Sequence, residues 1–145
     1  MIGSAGKSEK IKWLSDKAGV DAVINYKTVE SLSHELGKLA PNSIDVYFDN
    51  VGGEQLEAAI EHVKDFGCIV CCGMISTYNA VSPPVAPRNL FMLIGKRLRM
   101  QGFIVRDHQL AANIAAFTTF ISRFSVSHRS RLYAVKTVAN AQTAI

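Results

Sequence analysis

No run of about 18 apolar residues, the length a membrane-crossing helix requires, occurs in this sequence, so a membrane span is not expected. The start also lacks the charged segment and apolar core of a secretory signal, which makes a cytoplasmic location the expectation. Blocks of like charge are missing too. Lys and Arg outnumber Asp and Glu by 16 to 12, and the resulting formal charge of +4 is scattered. That mild excess suits an anionic small molecule and leaves no footprint for nucleic acid. Cysteine is scarce and odd in number, since only Cys68, Cys71 and Cys72 are present, crowded together rather than spaced as a disulfide framework. On a strand, Cys68 and Cys71 point to opposite faces, and Cys68 and Cys72 stand about 13 Å apart. Apolar packing is therefore expected of them, and no metal or redox site.

What remains is the composition of one globular domain: 145 residues, 48% apolar and 19% charged, with no internal repeat and no second domain. The order of elements is readable from spacing. Ser8 is placed to cap a helix over residues 9–19, with Ile11, Leu14 and Ala18 on one face and Gly19 to stop it. "AVIN" (22–25) predicts a strand, and residues 29–39 a helix with Leu32, Leu36 and Leu39 aligned. "IDVYFD" (44–49) predicts the next strand. A third helix follows "VGG", with Leu56, Ala59, Ile60 and Val63 at i, i+3, i+4 and i+7, and Gly67 leads into the strand "CIVCCG". "SPPVAP" (82–87) predicts a rigid loop, followed by a helix near residues 89–96, a strand at 98–105 and an apolar helix through "LAANIAAFTTFISRF". Strands alternating with helices in short units predict an α/β fold, a parallel sheet with helices on its faces.

Ligands of open parallel sheets bind beyond the carboxyl ends of the strands. The candidate segments are thus residues 3–10, 25–28, 50–53, 73–79 and the stretch around Val105. The first, "GSAGKS", nearly completes the phosphate-gripping pattern G-x-x-x-x-G-K-[ST], with Met1 where the first glycine belongs. A nucleotide hydrolase is disfavoured, because that loop also needs a strand ahead of its glycines. His34, His62, His108 and His128 have no partner at catalytic spacing and are expected at the surface.

Taken together, "GSAGKSEK", "INYKT", "IDVYFDNVGGE", "GCIVCCGMISTYN" and "LRMQGFIV" resemble, in order and spacing, the zinc-independent medium-chain dehydrogenases/reductases. The nearest likeness is to the NADPH-dependent enone and alkenal double-bond reductases, which include the prostaglandin and alkenal reductases. The resemblance is specific to about Val105 and weak beyond it. It implies a Rossmann-type parallel sheet with flanking helices that is incomplete, its first strand and glycine-rich turn missing. Residues 1–145 are then part of an NADP-binding domain, with the catalytic domain absent. Weak NADPH binding and no turnover are expected of this chain by itself.

Carried over residue by residue, the resemblance gives Lys10 and Tyr26 to the adenosine 2′-phosphate of NADP, in a chain where Ser4, Lys7 and Lys10 stand in place of the acid of an NAD-specific site. Asn50, Cys72, Gly73, Ile75 and Ser76 fall on the nicotinamide side, with Phe103, Ile104 and Val105 packed beside it. Tyr78 is the residue expected to touch the carbonyl of an α,β-unsaturated aldehyde or ketone. A homodimer joined through the strand "LRMQGFIV" is implied, and no metal is required.

Overall fold

A computed structural model describes residues 1–82 and 84–104. Its elements run β1 (Ile2–Ala5), α1 (Ser8–Asp16), β2 (Ala22–Asn25), α2 (Leu32–Leu39), β3 (Ile44–Asp49), α3 (Gly53–His62), β4 (Val63–Cys71), α4 (Met92–Gly95) and β5 (Arg99–Gly102). The α/β expectation holds, and β2 and β3 fall where the apolar runs placed them. Val105, His108, His128 and the helix expected through "LAANIAAFTTFISRF" lie outside the described residues.

Several boundaries differ from the sequence reading, each for a physical reason. The first half of "GSAGKS" is strand rather than loop, because Gly3, Ser4 and Ala5 pair in parallel with Val23, Ile24 and Asn25. Gly3 fits there because the Leu14 side chain of α1 presses on it, with Cδ1 3.2 Å from where a Cβ would stand. The strand leaves only Gly6 and Lys7 as a connection, so Ser8 is the first helical residue and not the cap; Lys7 takes the cap position with no side-chain hydrogen bond. In α2 the cap is Ser31, whose Oγ accepts from His34 N at 3.2 Å. Leu39, expected on the buried face, is exposed at the last turn, while Leu36 is buried.

β4 begins five residues before "CIVCC" because the register against β3 jumps between the pairs Ile44–Val63 and Val46–Cys68. The extra residues form a kink with Phe66 at φ 61°. Gly67 fits the kink, since a Cβ there would meet Val63 Cγ1 at 2.3 Å.

All strand pairs are parallel, in two groups: β1 with β2, and β3, β4 and β5 in the order β3-β4-β5. The groups share one core, in which Ile2 and Ile24 pack with Ile44, Tyr47, Ile60 and Ile69 beneath α2 and α3. On other faces, Ala5, Leu14 and Val20 pack under α1, and Val46, Cys68 and Val70 pack with Phe103. The cysteines alternate as strand geometry requires: Cys68 and Cys72 belong to the Val46 cluster, and Cys71 to the opposite face.

Candidate functional site

Parallel pairing sends the strands of each group the same way, so the segments after β1 and β2 emerge at one end of the first group and those after β3 and β4 at one end of the second. Two constellations form there.

The first surrounds Gly6. A Cβ at this glycine would lie 2.7 Å from the Tyr26 hydroxyl oxygen and 3.0 Å from Lys27 Cε, so the phenol and the lysine stem lean directly over the β1–α1 connection. The turn that delivers them is fixed by Asn25, whose Oδ1 accepts from Lys27 N at 3.1 Å and whose carbonyl accepts from Thr28 N at 3.1 Å. Lys10 stands in the first turn of α1, half-buried. With no side chain capping that turn, its leading amides and the flanking cations favour an anion. Ser4, grouped with these lysines by sequence, is not among them: it is buried, and its Oγ donates to Gln55 Oε1 at 2.9 Å.

The second constellation joins the segments after β3 and β4. The Asp49 carbonyl accepts from Cys72 N at 2.7 Å and Gly73 N at 3.1 Å, the Asn50 carbonyl accepts from Ile75 N at 3.2 Å, and the Val51 carbonyl accepts from Ser76 N at 3.1 Å. Asn50, Cys72, Gly73, Ile75 and Ser76 are thereby stitched into one surface. Tyr78 curls back over it, and its hydroxyl oxygen accepts from Met74 N at 3.2 Å. Gly73 permits this, because a Cβ there would stand 3.0 Å from the phenol oxygen and 3.3 Å from the Asn50 carbonyl. The phenol is two-thirds exposed and its proton remains available to an incoming acceptor. Phe103 N donates to the Cys71 carbonyl at 2.9 Å, and its ring is buried edge-on against Phe48, 5.9 Å between centroids, while Ile104 is exposed. A cavity of about 410 Å³ is lined by Tyr26 of the first constellation and by Gly52, Gly53, Ser76 and Thr77 beside the second.

The electrostatics leave the thiols inert. Burial pushes Cys71 up to about 11, helped by the nearby Asp49 carboxylate. Burial and Asp49 raise Cys72 as well, and burial raises Cys68 against the pull of Arg99. Protonated thiols are poor nucleophiles and poor metal ligands. Among the described residues no group of three or more His, Cys, Asp or Glu side chains is arranged to hold a metal.

Sequence spacing missed two features. Asp49, the acid that ends an apolar run and could pass by sequence for the partner acid of a nucleotide triphosphatase, is buried and organises the turn after β3. His62, expected without a partner, has Nε2 2.9 Å from Ser33 Oγ. Ser33 already gives its proton to Glu61 Oε2 at 2.6 Å, so the imidazole acts as donor and does not activate the hydroxyl.

A parallel sheet whose loops gather at its carboxyl end around an anion-favouring helix start defines an α/β protein of the dinucleotide-binding class. More narrowly, the chain belongs to the zinc-binding dehydrogenase family, which it matches over residues 1–123. It is 46% identical over 108 residues to an NADP(+)-dependent 2-alkenal reductase of Nicotiana tabacum, covering 74% of this chain and 31% of that protein. It is 48% identical over 105 residues to prostaglandin reductase 1 of Bos taurus, covering 72% and 32%. Among solved structures, the crystal structure of CurA in complex with NADPH from Vibrio vulnificus superposes with a TM-score of 0.67 at 34% identity, covering 91% of this chain and 41% of that one. The chain spans about a third of the length of the curated relatives it matches.

Proposed function

We propose that this chain is the cofactor-binding part of an NADPH-dependent oxidoreductase that reduces the carbon–carbon double bond of α,β-unsaturated aldehydes and ketones. The observation that carries the proposal is the gathering of Tyr26 and Lys27 over Gly6 beside the uncapped first turn that holds Lys10. The names of the relatives point the same way. Two phosphate-compatible cations and a phenol at the end of β1, where an acid would serve NAD, favour a ribose 2′-phosphate.

In this reading Lys10 and Tyr26 hold the 2′-phosphate, and the cavity between Tyr26 and Ser76 takes the body of the dinucleotide. Asn50 and the run Cys72, Gly73, Ile75 and Ser76 face the nicotinamide side, with Phe103 packed beneath and Ile104 beside it. When bound, the cofactor supplies a hydride to the β-carbon of the substrate. Tyr78 then donates a hydrogen bond to the carbonyl oxygen as negative charge develops there, which lowers the barrier in the manner of an oxyanion hole.

The domain reading is part of the same proposal. Among the described residues β1 and β3 each pair on one side only, although their side chains share a core. A parallel sheet with a further strand between them accounts for both edges and for the short coverage of the relatives. β5 is exposed along its four residues and, among the described residues, bonded only to β4, which fits a homodimer joined edge to edge. No helix among the described residues is long and apolar enough to cross a membrane, and we place the protein in the cytoplasm.

The test is oxidation of NADPH by the full polypeptide that carries this chain, given a medium-chain enal and followed by loss of nicotinamide absorbance. Turnover is expected, and Tyr78→Phe is expected to lower kcat by about 100-fold, the scale of one oxyanion donor. Absence of any enal-dependent oxidation would sink the assignment.

A further inference from the structure

Asp49 has no place in the chemistry above, yet it is fully buried at the carboxyl end of β3, in a strand otherwise mostly apolar. A carboxyl group is kept out of water only where its hydrogen bonds accomplish something. Here one oxygen has three donors: Oδ1 accepts from Val51 N at 2.9 Å, Gly52 N at 2.9 Å and Tyr47 OH at 3.1 Å. The other oxygen, Oδ2, is buried and has no partner among the described residues. The turn so clamped contains consecutive left-handed positions, Gly52 at φ 70° and Gly53 at φ 54°, a conformation that needs an external acceptor for its amides. The same residue's main-chain oxygen takes the amides of Cys72 and Gly73. Asp49 is thus bonded through its side chain to the turn after β3 and through its backbone to the segment after β4.

We propose that Asp49 is a positioning residue for cofactor binding: Oδ1 sets the turn that presents Asn50, Gly52 and Gly53, and the Asp49 carbonyl docks residues 72–73 on the same frame. The inference rests on the reading that these segments face the dinucleotide. What the site requires of Asp49 is the acceptor at Oδ1 and not the negative charge. Oδ2 faces no donor, so an amide nitrogen in its place breaks no hydrogen bond. Asn is therefore expected to replace Asp, whereas Ala removes the template. Released from Oδ1, the turn samples other conformations and the cofactor must select the competent one, which weakens binding without touching any contact made by Tyr26 or Lys10.

The experiment is calorimetric titration of NADPH into the full polypeptide as the native form, Asp49→Asn and Asp49→Ala, with circular dichroism to verify folding. Asp49→Ala is expected to raise the NADPH Kd by about tenfold or more, with Asp49→Asn within about threefold of native. The rescue by Asn is the readout that a general loss of packing would not give. If Asp49→Ala does not fold, Asp49→Ser, which keeps one acceptor, is expected to loosen binding between the two. A folded Asp49→Ala or Asp49→Ser that binds as native overturns the proposal, as does an Asp49→Asn as weak as Asp49→Ala. Tyr26→Phe and Lys10→Ala separate this from failure of the functional reading. If neither changes NADPH affinity, the reading has failed; if both do and the Asp49 series is flat, only the role of Asp49 has.

Discussion

Gly6→Ala is the smallest change that tests the anion site, and its effect follows from two distances. The added methyl would stand 2.7 Å from the Tyr26 hydroxyl oxygen and 3.0 Å from Lys27 Cε. Both are ends of side chains that can swing away, so the methyl is accommodated by displacing the phenol rather than by moving backbone. Gly6 has no positive φ, and alanine is compatible with its conformation. Folding stability should therefore shift by less than about 1 kcal/mol, the reduced freedom of the unfolded chain offsetting the displaced ring. Loss of one hydrogen bond to a charged phosphate is worth about 1.5–3 kcal/mol. At about 1.4 kcal/mol per decade, that corresponds to a roughly tenfold to hundredfold rise in the NADPH Kd. NADH, which has a hydroxyl at the 2′ position, should be affected far less. The assay is fluorescence titration of both coenzymes into the native and Gly6→Ala forms of the full polypeptide, with a urea melt of each. An equal loss for NADH and NADPH would refute the placement of the 2′-phosphate over Gly6, as would unchanged NADPH affinity.

Two further predictions concern the fold that carries the site. Lys96 Nζ donates to the carbonyls of Ile60 at 3.3 Å, Glu61 at 2.6 Å and Val63 at 3.0 Å, so it caps the carboxyl end of α3. Lys96→Met keeps the stem and removes the charge, and should cost about 1–2 kcal/mol, read as a lower urea midpoint; an unchanged midpoint would show that water serves these carbonyls as well. Burial holds the Asp49 carboxyl above its ordinary 3.8, against the pull of the Gly52 and Val51 amides and the Tyr47 hydroxyl. Between the unfolded and folded values the folded chain binds more proton, so this residue adds stability as pH falls through its folded value. Glu35 and Glu57, lowered by Lys38 and Arg88, act in the opposite sense and lose their contribution on acidification. Subtracting the Asp49→Asn stability curve from the native one isolates the first effect, and a difference that does not grow as pH falls contradicts it.

The parts of the fold legible in the sequence are those fixed by local periodicity. "AVIN" and "IDVYFD" are apolar runs bounded by turn residues, and they are strands with those limits. Leu56, Ala59 and Ile60 are buried on α3, as their spacing requires, whereas Val63, expected as the helix's next buried position, is buried as the first residue of β4. Periodicity fails where a distant partner decides the outcome. Gly3 and Ser4 are weak strand formers, yet pairing to Val23 and Ile24 makes them strand, and Gln55, 51 residues away, satisfies the Ser4 hydroxyl. Ser8 and Ser31 are equally good caps by type. Only Ser31 is one, because β1 extends to Ala5 and leaves the chain no room to place Ser8 outside the helix. The role of Asp49 is hidden for a related reason. An acid closing an apolar run reads as exposed, and nothing local indicates that the next turn folds back over it.

The same extension of β1 decides between the two phosphate chemistries that "GSAGKS" suggests. A strand does lead into Gly6, so the lack of one cannot be held against a nucleotide hydrolase. The length of the connection counts against it instead. A triphosphate-gripping loop wraps several consecutive amides around the β- and γ-phosphates. Here strand passes to helix through Gly6 and Lys7 alone, too short a path to encircle two phosphates. The side chains over that connection point to the same conclusion. A tyrosine ring and a lysine stem from the turn after β2 close over Gly6, within about 3 Å of where a Cβ would stand. In the proposed reading these side chains flank a single phosphate on a ribose, and Tyr26 also lines the cavity shared with Gly52 and Ser76. The glycine that resembled part of a phosphate loop is thus better explained as the floor under Tyr26.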